Sequence, residues 1–176
     1  APQDFVGAQI RTPLSDVSYQ LIKVLGARPS PEDSGYQGAE SGLRQGGTLN
    51  GKPIATGNVT FFPKYQVLFA NAAAFTRLSE AQRTMLRQAA AAAQKKAIAE
   101  HPREVDAATA WCKAGNTIVL ASAEQVAAFE QAAQPIFDQL AKEPLNAELI
   151  TAIRDLKAHT AASPGATACG TPVAAK

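Results

Sequence analysis

The sequence changes character once, near Leu78, and that change limits what the chain can fold into. Before it, Gly, Pro and Ser recur too often for a long helix, so the N-terminal part reads as short strands and turns. After it, apolar residues return every three or four positions, which places them on one face of a helix. An α/β protein with a small mixed sheet and long C-terminal helices accommodates both halves. The expected organisation is residues 1–78 as a partial lobe of strands and turns, 79–159 as long helices with one strand at 116–121, and 160–176 as a flexible tail.

Local signals refine this outline. Residues 8–12 read as a strand stopped by Pro13. Ser15 or Asp16 caps a helix that places Val17, Leu21, Val24 and Leu25 on one face and ends at Gly26. Turn chemistry dominates from 28 to 57, and strands are expected at 58–62 and 65–70, separated by Pro63 and Lys64. Ser79 with Gln82, and Ser122 with Gln125, have capping-box spacing. The first box opens a helix whose inner stripe would be Leu78, Ala81, Met85, Ala89 and Ala92, with Pro102 kinking or stopping it. A second helix, 103–113, ends at Gly115. The helix after Ser122 carries Val126, Phe129, Ala133, Ile136 or Phe137, and Leu140 on one face, and Pro135 should bend it. Asn146 is expected to cap a last helix with Leu149, Ile150, Ile153 and Leu156 inward.

Composition removes several functions. The net charge of +2 is small, the basic residues are scattered, and aromatics make up only 6% of the chain. That combination offers neither a basic track for nucleic acid nor a stacking platform for bases. No apolar run is long enough to span a bilayer. Cys112 and Cys169 are the two cysteines, without a CxxC or a histidine at ligand spacing. They read either as unrelated thiols or as one disulfide formed in an oxidising compartment.

Catalytic motifs fail on inspection. The run from Gly46 to Lys52 has P-loop spacing, but Pro53 stands where that loop needs a magnesium-binding hydroxyl. Around Ser41 the flanking positions of a nucleophile elbow hold Ala39 and Leu43 rather than glycines. His101 and His159 each sit near a helix end, where a cation suits the dipole. Asn58-Val59-Thr60 matches a glycosylation sequon and is read as a chance match in a strand. No carboxylate pair is placed for acid–base work, so neither an enzyme nor a cofactor or metal site is expected.

The order of short motifs along the chain is more specific than any one of them. Gly7-Ala8-Gln9-Ile10-Arg11-Thr12-Pro13, then Leu25-Gly26-Ala27-Arg28-Pro29, resembles the segment that opens the second lobe of TRAP-transporter (DctP-type) periplasmic solute-binding proteins. Tyr36-Gln37-Gly38-Ala39-Glu40-Ser41 is similar to the family's "V-D-G-x-E-x-P" strand end, with Gln37 in place of the acid and Gly42 in place of the proline. Leu78-Ser79-Glu80-Ala81-Gln82-Arg83 matches its long alanine-rich helix. Ile118-Val119-Leu120, Pro135-Ile136-Phe137 and the run from Glu148 to Ile153 follow in the family's order, so the likeness spans about residues 5 to 158.

The resemblance implies the second lobe of a two-lobed binding protein, in the periplasm or outside the cell. Such a protein captures a small organic acid and delivers it to membrane transporter subunits, without chemistry on the ligand. In that family the arginine of the first strand pairs with the ligand carboxylate, which gives Arg11 that role. The ligand-side polar residue falls at Ser41, with Glu40 beside it. Tyr65 lies in the strand that lines the cleft in relatives, although core packing would explain it equally well. The family's C-terminal helices fold back along the molecule, which implies a Cys112–Cys169 disulfide. The first lobe of the family has no counterpart here, so a missing N-terminal lobe or a second copy is an expected partner. The alternative is a secreted structural or partner-binding domain that has lost the ligand site.

Overall fold

The computed structural model describes residues 1–32, 34–43, 53–63, 65, 67–101, 103–161 and 165–171. The chain divides into two compact units, Ala1–Val59 with Glu104–Lys176, and Thr60–Arg103.

The first unit holds two small parallel sheets. In the first, β1 (Gln9–Arg11) lies between β2 (Arg28–Ser30) and β3 (Gly38–Ala39). Ile10 pairs with Pro29 on one side and Gly38 on the other. Helix α1 (Asp16–Val24) connects β1 to β2. The Ser15 hydroxyl caps it by accepting from the N–H of Ser18. At its end Gly26, at φ +81°, donates to the carbonyl of Lys23, and Ala27 donates to that of Ile22. This is a Schellman turn, and it needs the left-handed conformation that glycine takes without a Cβ penalty. The turn puts Ala27 against Ile22, and both join Ile10 in a core that Phe5 and Ala8 border.

The inner face of α1 follows expectation at Leu21 and Leu25 but not at Val24. Ser18, Leu21 and Ile22 are buried with Leu25, while Val24 is exposed. Val17 and Val24 lie one helix row to the side of the face that meets Ile10, and the sequence spacing fits either row.

The second sheet pairs β4 (Ile54–Thr56) with β5 (Thr117–Val119), Ala55 opposite Ile118. Helix α4 (Glu104–Lys113) leads into β5 through the same kind of turn, with Gly115 donating to Cys112 and Asn116 to Trp111. That turn folds Trp111 back so that its indole N–H donates to the carbonyl of Thr117 at 3.0 Å. Trp111, Ala108, Ile118 and Ala166 form the second core. The ladder is extended by a side chain: Asn58 donates to and accepts from the backbone of Ala121, both at 2.8 Å. The amide of the sequon is therefore a structural clip.

The disulfide joins Cys112 to Cys169 as expected. Ile118 and Cys169 also exchange two backbone hydrogen bonds as an isolated antiparallel bridge. The named strands otherwise pair in parallel, where a mixed sheet was expected. Ala166 is 8% exposed, so part of the segment after Thr160 is built into the core. Gly170 follows at φ +73°, and a Cβ there would meet Thr117 Oγ1 at 2.6 Å.

Helix α5 (Ala123–Leu140) follows the expected pattern. Ser122 and Gln125 form the capping box, and Phe129 and Ile136 are buried. Phe129 meets Phe5 edge to face at 5.7 Å. Pro135 is accommodated inside the helix. Phe137 stays on the outside, 5.4 Å beneath the guanidinium of Arg154. Helix α6 (Pro144–His159) departs from expectation in two ways. It begins at Pro144 with Glu143 as N-cap, because proline is preorganised for the first helical turn. Leu149, Ile153 and Leu156 are also exposed rather than inward.

In the second unit, α2 (Ala72–Thr76) precedes the long α3 (Glu80–Ala99). The Ser79–Gln82 capping box forms, and Arg83 reaches back to the carbonyl of Thr76. No described residue of α3 is buried, and Met85 is 67% exposed. Alanine methyls bury little area, so α3 rests on propensity and capping rather than on the expected stripe. The strand expected at 58–62 is replaced by β4 slightly earlier, and the described part of 65–70 forms no strand. The Gly-rich run from Gly46 to Lys52, and Pro102, lie outside the described residues.

Two measurements test this architecture. Breaking a disulfide between residues 57 apart should lower stability. In the chain-entropy model the loss is about 4 kcal/mol. Melting with and without a dithiol reductant, beside a thiol titration of the denatured, unreduced chain, reads both the loss and the expected absence of free thiol. Second, the Ser122 hydroxyl and the Glu124 N–H hold the Glu124 carboxyl below its ordinary value. A depressed carboxylate contributes stability above its unfolded pKa and loses it as pH falls through the folded one. An NMR pH titration should find this midpoint lowered, and Ser122→Ala should move it back up.

Candidate functional site

The order β2-β1-β3 makes the C-terminal end of β1 a topological switch point. The chain leaves β1 toward β2 on one side and later returns to β3 on the other. In open parallel sheets the connections at such a point diverge and leave a crevice where ligands bind. The residues there are Arg11 at the end of β1, Thr12 just after it, and Glu40 and Ser41 after β3.

The register decides which way these side chains leave the sheet. Ile10 is opposite Gly38, and Arg11 is opposite Ala39. Ile10 is buried on the α1 side, so Arg11 emerges on the other face. A Cβ on Gly38 would come within 2.9 Å of Ile10 Cδ1, which explains the residue with no side chain opposite a core isoleucine. The Arg11 guanidinium lies over the ring of Tyr36, 5.7 Å from its centroid. Tyr36 thus lies within cation–π range of the guanidinium.

Glu40 ties the two strand ends together. Its N–H donates to the carbonyl of Arg11 at 2.8 Å, and its carboxylate accepts from the Thr12 hydroxyl at 3.4 Å. Thr12 is 3% exposed and also donates its N–H to Ser30. Arg11, Glu40 and Ser41 are all half-buried. The Ser41 hydroxyl donates to the carbonyl of Gly42. Three of the four residues anticipated from sequence therefore meet at one end of one sheet. Tyr65 belongs to the other unit, where it is 81% exposed.

Sequence reasoning passed over Thr12 and Tyr36. Thr12 had a signal, since it directly follows the proposed ligand arginine and precedes Pro13. Tyr36 could be found only once the pairing of β1 with β3 was known.

The arrangement offers a charged, forked donor on an aromatic support, a hydroxyl and a carboxylate. Among the described residues no group of three His, Cys, Asp or Glu could hold a metal ion. No helix among them is long and apolar enough to cross a membrane.

The model of the bacterial extracellular solute-binding protein family 7, DctP, matches residues 56–143, which is half of the chain. The chain belongs to that family. No curated protein and no solved structure matches it. DctP proteins bind solutes in the periplasm for TRAP transport and are not enzymes. The matched stretch runs from the end of β4 past α5, so it contains Tyr65 and Cys112 but not Arg11, Glu40 or Ser41.

The tie between strand ends has a direct test. Thr12→Val keeps the shape and removes the hydroxyl bonded to Glu40. Loss of one such hydrogen bond should cost roughly 0.5–1.5 kcal/mol, read from the shift of the urea midpoint. An unchanged midpoint would show that the Glu40 carboxylate adds nothing to the backbone bond that joins β3 to β1.

Proposed function

We propose that this DctP chain is the second-lobe part of a two-lobed solute-binding protein and holds a small organic acid by its carboxylate. Arg11 is the principal contact and Ser41 the second. The observation that supports this is the position of Arg11 at the switch point of the β2-β1-β3 sheet. A guanidinium offers two parallel donors to a carboxylate and keeps its charge when partly desolvated. Tyr36 beneath it reduces the freedom that binding would otherwise remove. Glu40 acts first as a positioning residue, because it holds the end of β3 against β1.

The protein's partners in this reading are the TRAP membrane subunits and a first lobe or a second copy facing the Arg11 edge. Exposed apolar side chains on α6, Leu145, Leu149, Ile153 and Leu156, favour a protein partner as well.

Binding and stability separate this reading from a purely structural role. Arg11→Ala should remove most of the affinity for a carboxylate, with a loss of roughly 1.5–3 kcal/mol. Arg11→Lys should recover part of it, since an ammonium makes no two-pronged contact. Calorimetry with a small organic acid, beside melting curves, decides the matter. Equal affinity in wild type and Arg11→Ala would rule out the clamp, and a large drop in stability would reassign Arg11 to the fold.

A further inference from the structure

Residues 165–171 cross the outer edge of β5 as a strap. Strand β5 turns its backbone to two sides. Thr117 and Val119 bond to the β4 side, through Pro53 and Gly57, and Ile118 bonds to Cys169 on the other. The Ile118 and Cys169 backbones exchange hydrogen bonds of 3.0 and 3.1 Å. The Ala166 methyl sits in a notch that a glycine leaves open. A Cβ on Gly57 would lie 3.0 Å from Ala166 Cβ and 2.7 Å from Ile118 Cγ2. Thr167, Ala168 and Gly170 are exposed. Ordering such a segment costs more conformational entropy than two hydrogen bonds and one buried methyl return. The bond from Cys169 to Cys112 therefore decides whether the strap stays down.

The rest of the same unit has supports that do not pass through the strap. The first sheet rests on Ile10, Ile22 and Ala27. Strand β4 keeps its register with β5, and Asn58 keeps its clip on Ala121. The Trp111 indole holds the carbonyl of Thr117. The disulfide itself is within reach of solvent, because both cysteines are only half-buried and Cys169 lies between exposed residues. Accessible disulfides are the ones that exchange readily with thiols.

We propose that the Cys112–Cys169 disulfide is a redox latch: a dithiol reductant opens it, the strap leaves β5, and the Ile118 edge is uncovered while both sheets stand. One thiolate of the dithiol attacks the Cys169 sulfur, and the bond to Cys112 breaks. Cys112 leaves as a thiolate and takes a proton from water. The second thiolate of the dithiol then attacks its own mixed disulfide and releases Cys169, which is protonated in the same way. The dithiol becomes a disulfide and gives up two protons, and the chain gains two electrons and two protons. Oxidation by a disulfide reverses both steps and closes the strap again.

Amide hydrogen exchange on the full chain, below the melting temperature of its reduced form, tests the latch. With dithiothreitol the amides of Ile118 and Cys169 should lose their protection. Those of Gly57, which donates to Val119, and Arg28, which donates to Ala8, should keep theirs. The doubly substituted chain, Cys112→Ser with Cys169→Ser, should show the same pattern without any reductant. Oxidised glutathione added to the reduced wild type should restore protection at Ile118. An Ile118 amide still protected after complete reduction would show that the strap holds itself down and would overturn the proposal. Loss of protection at Gly57 or Arg28 together with Ile118 would overturn it as well, by making the bond a staple of the sheets and not a latch on the strap.

Discussion

Strand β1 has three residues and is hydrogen-bonded on both sides, and the geometry of the proposed site follows from that double pairing. The pairing with β2 brings the Schellman turn of α1 under Ile10. The pairing with β3 brings Glu40 and Ser41 to the end of the same strand. Slipping either register by one residue would exchange the faces of Ile10 and Arg11. A charge would then enter the small core beneath α1, and an isoleucine would face the crevice. Ile10, only 7% exposed, thus holds Arg11 in place from the opposite side of the sheet.

The second sheet is too short to hold itself together by pairing alone. Its two strands of three residues gain a side-chain rung from Asn58 and a third backbone from Cys169. The disulfide adds a covalent constraint to a core whose fully buried large side chain is Ile118. A core this small gains little from area burial, so cross-linking and capping carry a larger share of its stability. Trp111 connects these devices, since one Schellman turn sets its ring against Ile118 and its neighbour Cys112 forms the bridge.

Much of the fold was legible wherever the cause was local. Both capping boxes, the Ser15 cap and the Gly26 end of α1 depend on residues within one turn, and the spacing displays them. Strand positions beyond Gly57 were misplaced because β4 is defined by its partner β5, far along the chain. A β-branched run such as 58–62 states a preference but not a partner. The exposed faces of α3 and α6 escaped for a related reason. Apolar periodicity says that a face can be buried, not that this chain supplies what buries it. Of the site, Arg11, Glu40 and Ser41 came from the family resemblance. Tyr36 and the buried Thr12 required the β1–β3 register.

The division between the family match and the proposed site has a physical logic. The matched stretch, residues 56–143, carries β4, the long helices and β5, whose periodicity and caps must persist for the chain to fold. The site residues sit on the connections at strand ends, where a sheet tolerates substitution as long as its register survives. Gln37 illustrates this. Its side-chain carbonyl accepts from the N–H of Gln9 at 2.6 Å, a bond that an aspartate one methylene shorter would have to make by a different backbone path. The departure from the resembled motif is therefore absorbed inside the β1–β3 connection, and the ends of the two strands still meet. A scaffold of this kind can keep its arginine at the switch point while the neighbouring residues, Glu40 and Ser41 among them, vary.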